Sequence, residues 1–308
     1  MGRKIKIGLV LGGGGARGLA HIGILKVLQD RGIPIDIIVG TSMGAIVGAT
    51  YAQTPDASFV KEKFAKFIKG DKFRSLDDNF FRQQPGYEPE DILHQVSREI
   101  KRRLIINIAA HRVSLMKAER LEIALDALVA DELIENTKIP FACAALDLKS
   151  GKDIVFKSGK IRKAIQASSA IPGFLPPVEY NGYLLVDGSV SANFPIDAAR
   201  ELGADIVIAL DVSLSTYADN GFDNVIDIII RSNMAASRKI NELTLKEADL
   251  VISPKIGNIT WSAFEQIDHL IAQGIVEAEK RLPEIIDLVH SKQGIWTKSK
   301  ARFSHILK

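Results

Sequence analysis

Apolar and polar positions fall in blocks whose period changes along the chain, and the changes mark the elements. Residues 5–11 form a short apolar run that ends in Gly12-Gly13-Gly14-Gly15-Ala16-Arg17-Gly18. Leu19, Ile22, Leu25 and Leu28 then recur at helical spacing until Gly32-Ile33-Pro34 stops the pattern. A second apolar run, 35–39, leads into Gly40-Thr41-Ser42-Met43-Gly44, and small apolar residues at 45–49 open a helix ending near Gln53. Strand, glycine loop, helix and strand make a βαβ unit.

Pro55 suits the first position of the next helix, whose stripe is Phe59, Val60, Phe64, Phe67 and Ile68 before Gly70. From 71 to 113 the pattern loosens around Pro85-Gly86-Tyr87-Glu88-Pro89, and helical spacing returns at Leu121, Leu125 and Leu128. Strands are expected at 139–146 and 153–157, joined as a hairpin through Lys149-Ser150-Gly151-Lys152. A short helix from Ile161 enters a loop, 167–177, that three prolines and a glycine constrain. A strand at 183–186 ends in Asp187-Gly188-Ser189, and a helix from Pro195 precedes a strand at 206–210. The remainder reads as a helix at 222–246, a strand at 250–252 and a helix at 262–282. This alternation predicts an α/β fold with three α/β/α layers around a mostly parallel central sheet. No internal repeat, low-complexity tract or linker interrupts it.

Composition adds limits. A chain of 308 residues, 46% hydrophobic and 25% charged with mean hydropathy +0.09, has the balance of a globular protein. The single cysteine, Cys143, excludes an internal disulfide, fits a reducing, cytoplasmic compartment, and lies in an apolar run as a buried structural thiol would. About five apolar residues follow Lys6, too few for a secretory signal, and Asp36 and the serine turn interrupt the only stretch resembling a membrane span. The net charge of +3 is unevenly spread. Residues 1–120 hold 20 Lys+Arg against 12 Asp+Glu, residues 121–290 hold 15 against 25, and residues 291–308 hold five basic residues and no acid. A basic side facing an anionic surface and two merely solvated faces are both compatible with that asymmetry.

Two glycine-rich turns carry the candidate chemistry. Gly40-x-Ser42-x-Gly44 is a G-x-S-x-G turn between strand and helix, the setting that exposes a nucleophilic hydroxyl at a sharp corner; an ordinary serine in a glycine turn is the alternative. Gly13-x-Gly15-x-x-Gly18 also matches a dinucleotide fingerprint, but the acid required at the end of the second strand is missing, since Asp36 stands at its entrance. Consecutive backbone N–H groups for an oxyanion suit the loop better, so no cofactor is expected. A serine needs a base. None of the six histidines, His21, His94, His111, His269, His290 and His305, stands at a strand end beside a glycine. Asp187 does, at the carboxyl end of an apolar strand where α/β folds display functional groups; capping a turn is its other reading.

Taken together and in order, the glycine loop at 12–18, the turn at 40–44 and Asp187-Gly188 resemble the patatin-like phospholipase family. The 167–177 loop and Asn193-Phe194-Pro195 look like that family's blocks too, although the usual Asp-Gly-Gly is here Asp-Gly-Ser. The resemblance covers roughly residues 5–282, least so at 60–120. It implies a patatin-like fold and a Ser–Asp dyad acting on lipid acyl esters, as a phospholipase A, lysophospholipase or carboxylesterase. Ser42 would be the nucleophile and Asp187 the base. Gly13, Gly14 and Gly15, helped by Met43, would offer oxyanion-binding N–H groups, and Gly40 and Gly44 would shape the elbow. No metal is implied. An acyltransferase and a non-catalytic lipid-binding protein on the same scaffold are the alternatives. The expected organisation is a hydrolase domain at 1–290, with 60–120 as a candidate lid, and a basic tail at 291–308. Expected partners are a lipid or acyl-ester substrate and reversible contact with an anionic membrane surface, with no nucleic acid.

Overall fold

The computed structural model describes residues 5–73, 114, 116–213 and 225–304. Eight strands form one sheet: β1 (Ile7–Leu11), β2 (Ile37–Gly40), β3 (Phe141–Asp147), β4 (Asp153–Phe156), β5 (Val178–Tyr180), β6 (Tyr183–Asp187), β7 (Ile206–Leu210) and β8 (Leu250–Ile252). Their order is β5-β6-β3-β2-β1-β7-β8, with β4 also paired to β3. The block from β3 through β2 and β1 to β7 and β8 is parallel, and the β3–β4, β3–β6 and β5–β6 pairs are antiparallel.

The described helices are α1 (Ala20–Asp30), α2 (Met43–Gln53), α3 (Ala57–Lys69), α4 (Glu119–Leu128), α5 (Ile161–Ser168), α6 (Ile196–Glu201), α7 (Val225–Thr244) and α8 (Ile267–Ser304). Successive strand residues point to opposite faces, and the core divides accordingly. Leu9, Leu11, Ile38 and Ile208 pack under α1, α2 and α8, while Val10, Val39, Val207 and Ala209 meet Phe194, Ile196 and Ala199 on the other face. The expected α/β/α layering with a mostly parallel sheet is therefore present. Cys143 is buried on β3, where burial pushes its thiol well above the usual range.

Two elements differ from the sequence expectation. β5, inside the stretch read as loop and approach to β6, pairs with β6 through a tight turn at Asn181 and Gly182, both with positive φ. The last helix does not stop at 282. It continues through Pro283 to Ser304, because Ile285 is fully buried and Leu288 and Val289 pack against the core, outweighing the bond lost at proline. Residues 291–304, expected as a tail, thus continue α8 in their backbone.

The expected lid at 60–120 lies mostly outside the described residues, as do Arg102, Arg103 and the apolar cluster beside them. Its first residues belong to the body of the fold: Val60, Phe64 and Ile68 of α3 are buried in the core.

Candidate active site

The register along β3 explains how two distant segments meet. β2 pairs with Phe141 to Cys143, β6 with Ala145 to Asp147, and β4 spans Cys143 to Leu146. Because β4 shares positions with both, it occupies one edge of β3, and β2 and β6 share the other. They run in opposite directions and converge, Gly40 opposite Cys143 and Asp187 opposite Ala145. The turn by which the chain leaves β2 is therefore delivered next to Asp187.

That turn is sharp. Ser42 has φ 54 and ψ −124, one of two described non-glycine residues with positive φ. Such a conformation is costly and concentrates at functional sites. Gly44 permits it: a Cβ there would sit 2.1 Å from the Leu11 carbonyl oxygen, so only glycine lets α2 start so close to β1. Thr41 N–H donates to Leu11 O at 3.0 Å, Thr41 Oγ1 to Ala192 O at 3.0 Å, and Ser42 N–H to Ser168 Oγ at 3.0 Å.

Ser42 Oγ donates to Asp187 Oδ2 at 2.6 Å. Ser42 is 6% exposed and Asp187 1%. Burial raises the Asp187 carboxyl to about 6, against the lowering effect of the bonds from Ser42 and Ser189. Ser189 N–H caps Asp187 Oδ1 at 2.8 Å, and the Asp187 N–H is held by Ala170 O at 2.9 Å. Ser189 lies in a 3₁₀ turn without positive φ, so its side chain meets no backbone penalty.

The glycine loop runs past the same serine. Gly12 N–H donates to Leu210 O at 3.1 Å, and Gly13 N–H donates to Asn193 Oδ1 at 2.7 Å. His21 is wholly buried at the start of α1, with Nε2 2.8 Å from Gly12 O, and burial lowers it to about 4. It is a neutral strut for the loop. Ala16 N–H, beyond the glycines, donates to Trp261 O at 2.7 Å. Met43 opens α2, where the first N–H groups have no intrahelical acceptor.

The residues singled out in the sequence thus meet in space: Ser42 and Asp187 in contact, the glycine loop against the elbow, and Gly40 and Gly44 around it. Sequence reasoning missed Ser168 as partner of the Ser42 N–H and Asn193 as partner of the Gly13 N–H. Both lie in segments noted for family resemblance, but only the fold shows what they touch. His269 and His290 are exposed on α8, and His94, His111 and His305 lie outside the described residues. Among the described residues no group of three His, Cys, Asp or Glu is arranged to hold a metal ion.

The family model described as patatin-like phospholipase matches residues 9–200, more than half of the chain, and includes the glycine loop, the elbow and Asp187. The chain belongs to the patatin-like phospholipase family. Similar members include a patatin-like phospholipase domain-containing protein, ZK370.4, of Caenorhabditis elegans, 35% identical over 208 residues, covering 67% of this chain and 13% of that protein. Human patatin-like phospholipase domain-containing protein 6 is 32% identical over 222 residues, 70% of this chain and 14% of its own length. Lysophospholipase nte1 of Aspergillus fumigatus is 30% identical over 206 residues, 67% and 12% respectively. This patatin-like chain therefore spans about one eighth of these relatives' lengths.

Proposed function

We propose that the protein is a serine hydrolase cleaving acyl ester bonds of lipids through an acyl-serine intermediate. The observation that carries this reading is the 2.6 Å bond from Ser42 Oγ to a buried Asp187 carboxylate whose pKa lies near neutrality. An aspartate at its ordinary value would be a poor base at pH 7; raised to about 6, it stays ionised there yet accepts a proton more readily.

In this mechanism Asp187 takes the Ser42 hydroxyl proton as Oγ attacks the ester carbonyl. The oxyanion is met by the N–H groups of Gly14, Gly15 and Met43, at the positive end of α2. Gly13 was also expected as a donor, but its N–H is bonded to Asn193. We assign Gly13 the holding of the loop in place. Collapse expels the alcohol, which receives the proton from Asp187. Water then attacks the acyl-serine, losing its proton to Asp187; the bond to Ser42 Oγ breaks, Oγ takes that proton back, and the fatty acid is released. Relatives named as phospholipase-domain proteins and a lysophospholipase support a lipid as the acyl donor.

The proposed setting is a reversible, anionic membrane surface. Among the described residues no helix is long and apolar enough to cross a membrane. α7 instead turns Ile229, Ile240 and Leu243 outward, 53%, 39% and 63% exposed, with Lys239 also exposed and Lys246 exposed just beyond its end. Spacings of eleven and three residues put the three apolar side chains on one face, as in helices that lie in a lipid interface. Ser237 of the same helix donates to Val190 O, three residues beyond Asp187.

The test is labelling with a fluorophosphonate that reacts only with an activated serine. Stoichiometric modification at Ser42, absent in Ser42→Ala, is expected. Folded protein that resists the reagent would contradict the enzyme reading.

A further inference from the structure

Two loops flank the elbow, and their aromatic side chains meet. The first, 169–177, is tied to the base: Ala170 O accepts the Asp187 N–H, and Ser168, at its start, accepts the Ser42 N–H. It carries Phe174. The second contains Trp261 and is tied to the glycine loop. The Trp261 carbonyl accepts the Ala16 N–H and lies so close over Gly15, at φ +59, that a Cβ there would be 2.3 Å from it. The Phe174 and Trp261 rings are 5.1 Å apart at 70°, an edge-to-face contact. A bridge thus runs from the base side of the site to the oxyanion side, beside a serine only 6% exposed.

Both sides are anchored. Trp261's segment is held through Phe264, whose ring meets Phe73 at 5.6 Å, which in turn meets Phe67 of α3 at 5.6 Å. Phe174's loop is held by its backbone, its carbonyl accepting the Met116 N–H at 2.8 Å and its N–H donating to Ile171 O at 3.0 Å, while Pro172 and Gly173, the latter at φ +82 with open space around its α-carbon, are exposed. The neighbouring Leu175 lines a cleft of about 240 Å³ with Ala118, Leu121, Ala170 and Pro176.

We propose that Phe174 and Trp261 form an aromatic clasp that sets acyl-chain selectivity: a short acyl group reaches Ser42 with the rings in contact, whereas a long chain must part them. This rests on the acyl-ester reading above. An edge-to-face pair is strong enough that breaking it costs a long substrate about two- to tenfold in rate, so removing a ring returns that factor to long chains alone.

The experiment measures kcat/KM for p-nitrophenyl butyrate and dodecanoate, the latter below its micellar concentration, together with the rate at which a small ethyl fluorophosphonate labels Ser42. In Phe174→Ala and Trp261→Ala the dodecanoate-to-butyrate ratio should rise about two- to tenfold. Trp261→Phe, which keeps a ring, should hold the wild-type ratio and also serves if Trp261→Ala does not fold; Phe174→Leu, without a ring, should raise it and serves if Phe174→Ala does not. A ratio that stays constant or falls in variants still labelled at Ser42 would overturn the clasp, as would an equal loss on both esters. Wild-type protein that neither labels nor hydrolyses either ester would instead overturn the acyl-ester reading beneath it.

Discussion

At the scale of single residues, the site depends on where Asp187 sits. Its carboxyl titrates near 6 because it is buried, and only the ionised form can take the serine proton. The kcat/KM for a short ester should therefore climb with pH through about 6 and level off above it; a profile flat from pH 4.5 to 7 would contradict this role. The same shift has a stability consequence of opposite sense. A folded-state pKa above the unfolded value means that the native state holds the proton more tightly. This group's stabilising contribution is complete below about pH 4 and is lost as pH rises through about 6. Asp187→Asn, though inactive, should melt no lower than wild type at pH 8; a clearly lower melting temperature would indicate that the carboxylate stabilises the fold. His269→Gln and His290→Gln, both exposed, should keep wild-type turnover, and inactivity of either folded variant would point to a triad. Ser42 was legible because two glycines bracket it just past a short apolar run, and Asp187 because it ends such a run beside a glycine. Ser168 and Asn193 were not, since a side chain that accepts one backbone N–H leaves no period or spacing in the sequence.

At the scale of elements, the glycine loop is shaped by what surrounds it. His21 holds the Gly12 carbonyl, Asn193 the Gly13 N–H and the Trp261 carbonyl the Ala16 N–H. Asn193→Ala removes a buried acceptor and frees the loop next to the oxyanion position. It should lower kcat by about tenfold or more with little change in KM, because oxyanion contacts strengthen in the transition state. Asn193→Asp, which keeps an oxygen acceptor, should recover part of the loss. Equal damage to kcat and KM, or no damage, would remove this positioning role. Most elements could be read from periodicity. β1, β2, β7 and β8 are short apolar runs, and α1 and α3 carry regular stripes. β5 was missed because three residues show too little alternation, although Asn181-Gly182 is a recognised hairpin signal. The end of α8 was misplaced because Pro283 is a local stop signal, while Ile285 continues the helix through a tertiary contact.

At the scale of the whole molecule, chemistry and surface are joined. The elbow, the base and the glycine loop sit at the carboxyl ends of β2, β6 and β1, and α7 presents an apolar face from a helix hydrogen-bonded just beyond the base. Co-sedimentation with phosphatidylglycerol vesicles should be strong at low salt and weak at high salt, at about 1 kcal/mol per basic residue near the surface. Leu243→Glu should weaken it without changing hydrolysis of a soluble ester; binding indifferent to both salt and Leu243→Glu would leave this face merely solvated. In the proposed mechanism catalysis turns on two side chains, Ser42 for the attack and Asp187 for the proton transfer. The most direct test is turnover of p-nitrophenyl butyrate by wild type, Ser42→Ala and Asp187→Asn, with folding checked by circular dichroism. Both variants should lose about two orders of magnitude or more; near-normal turnover by folded Asp187→Asn would contradict the dyad.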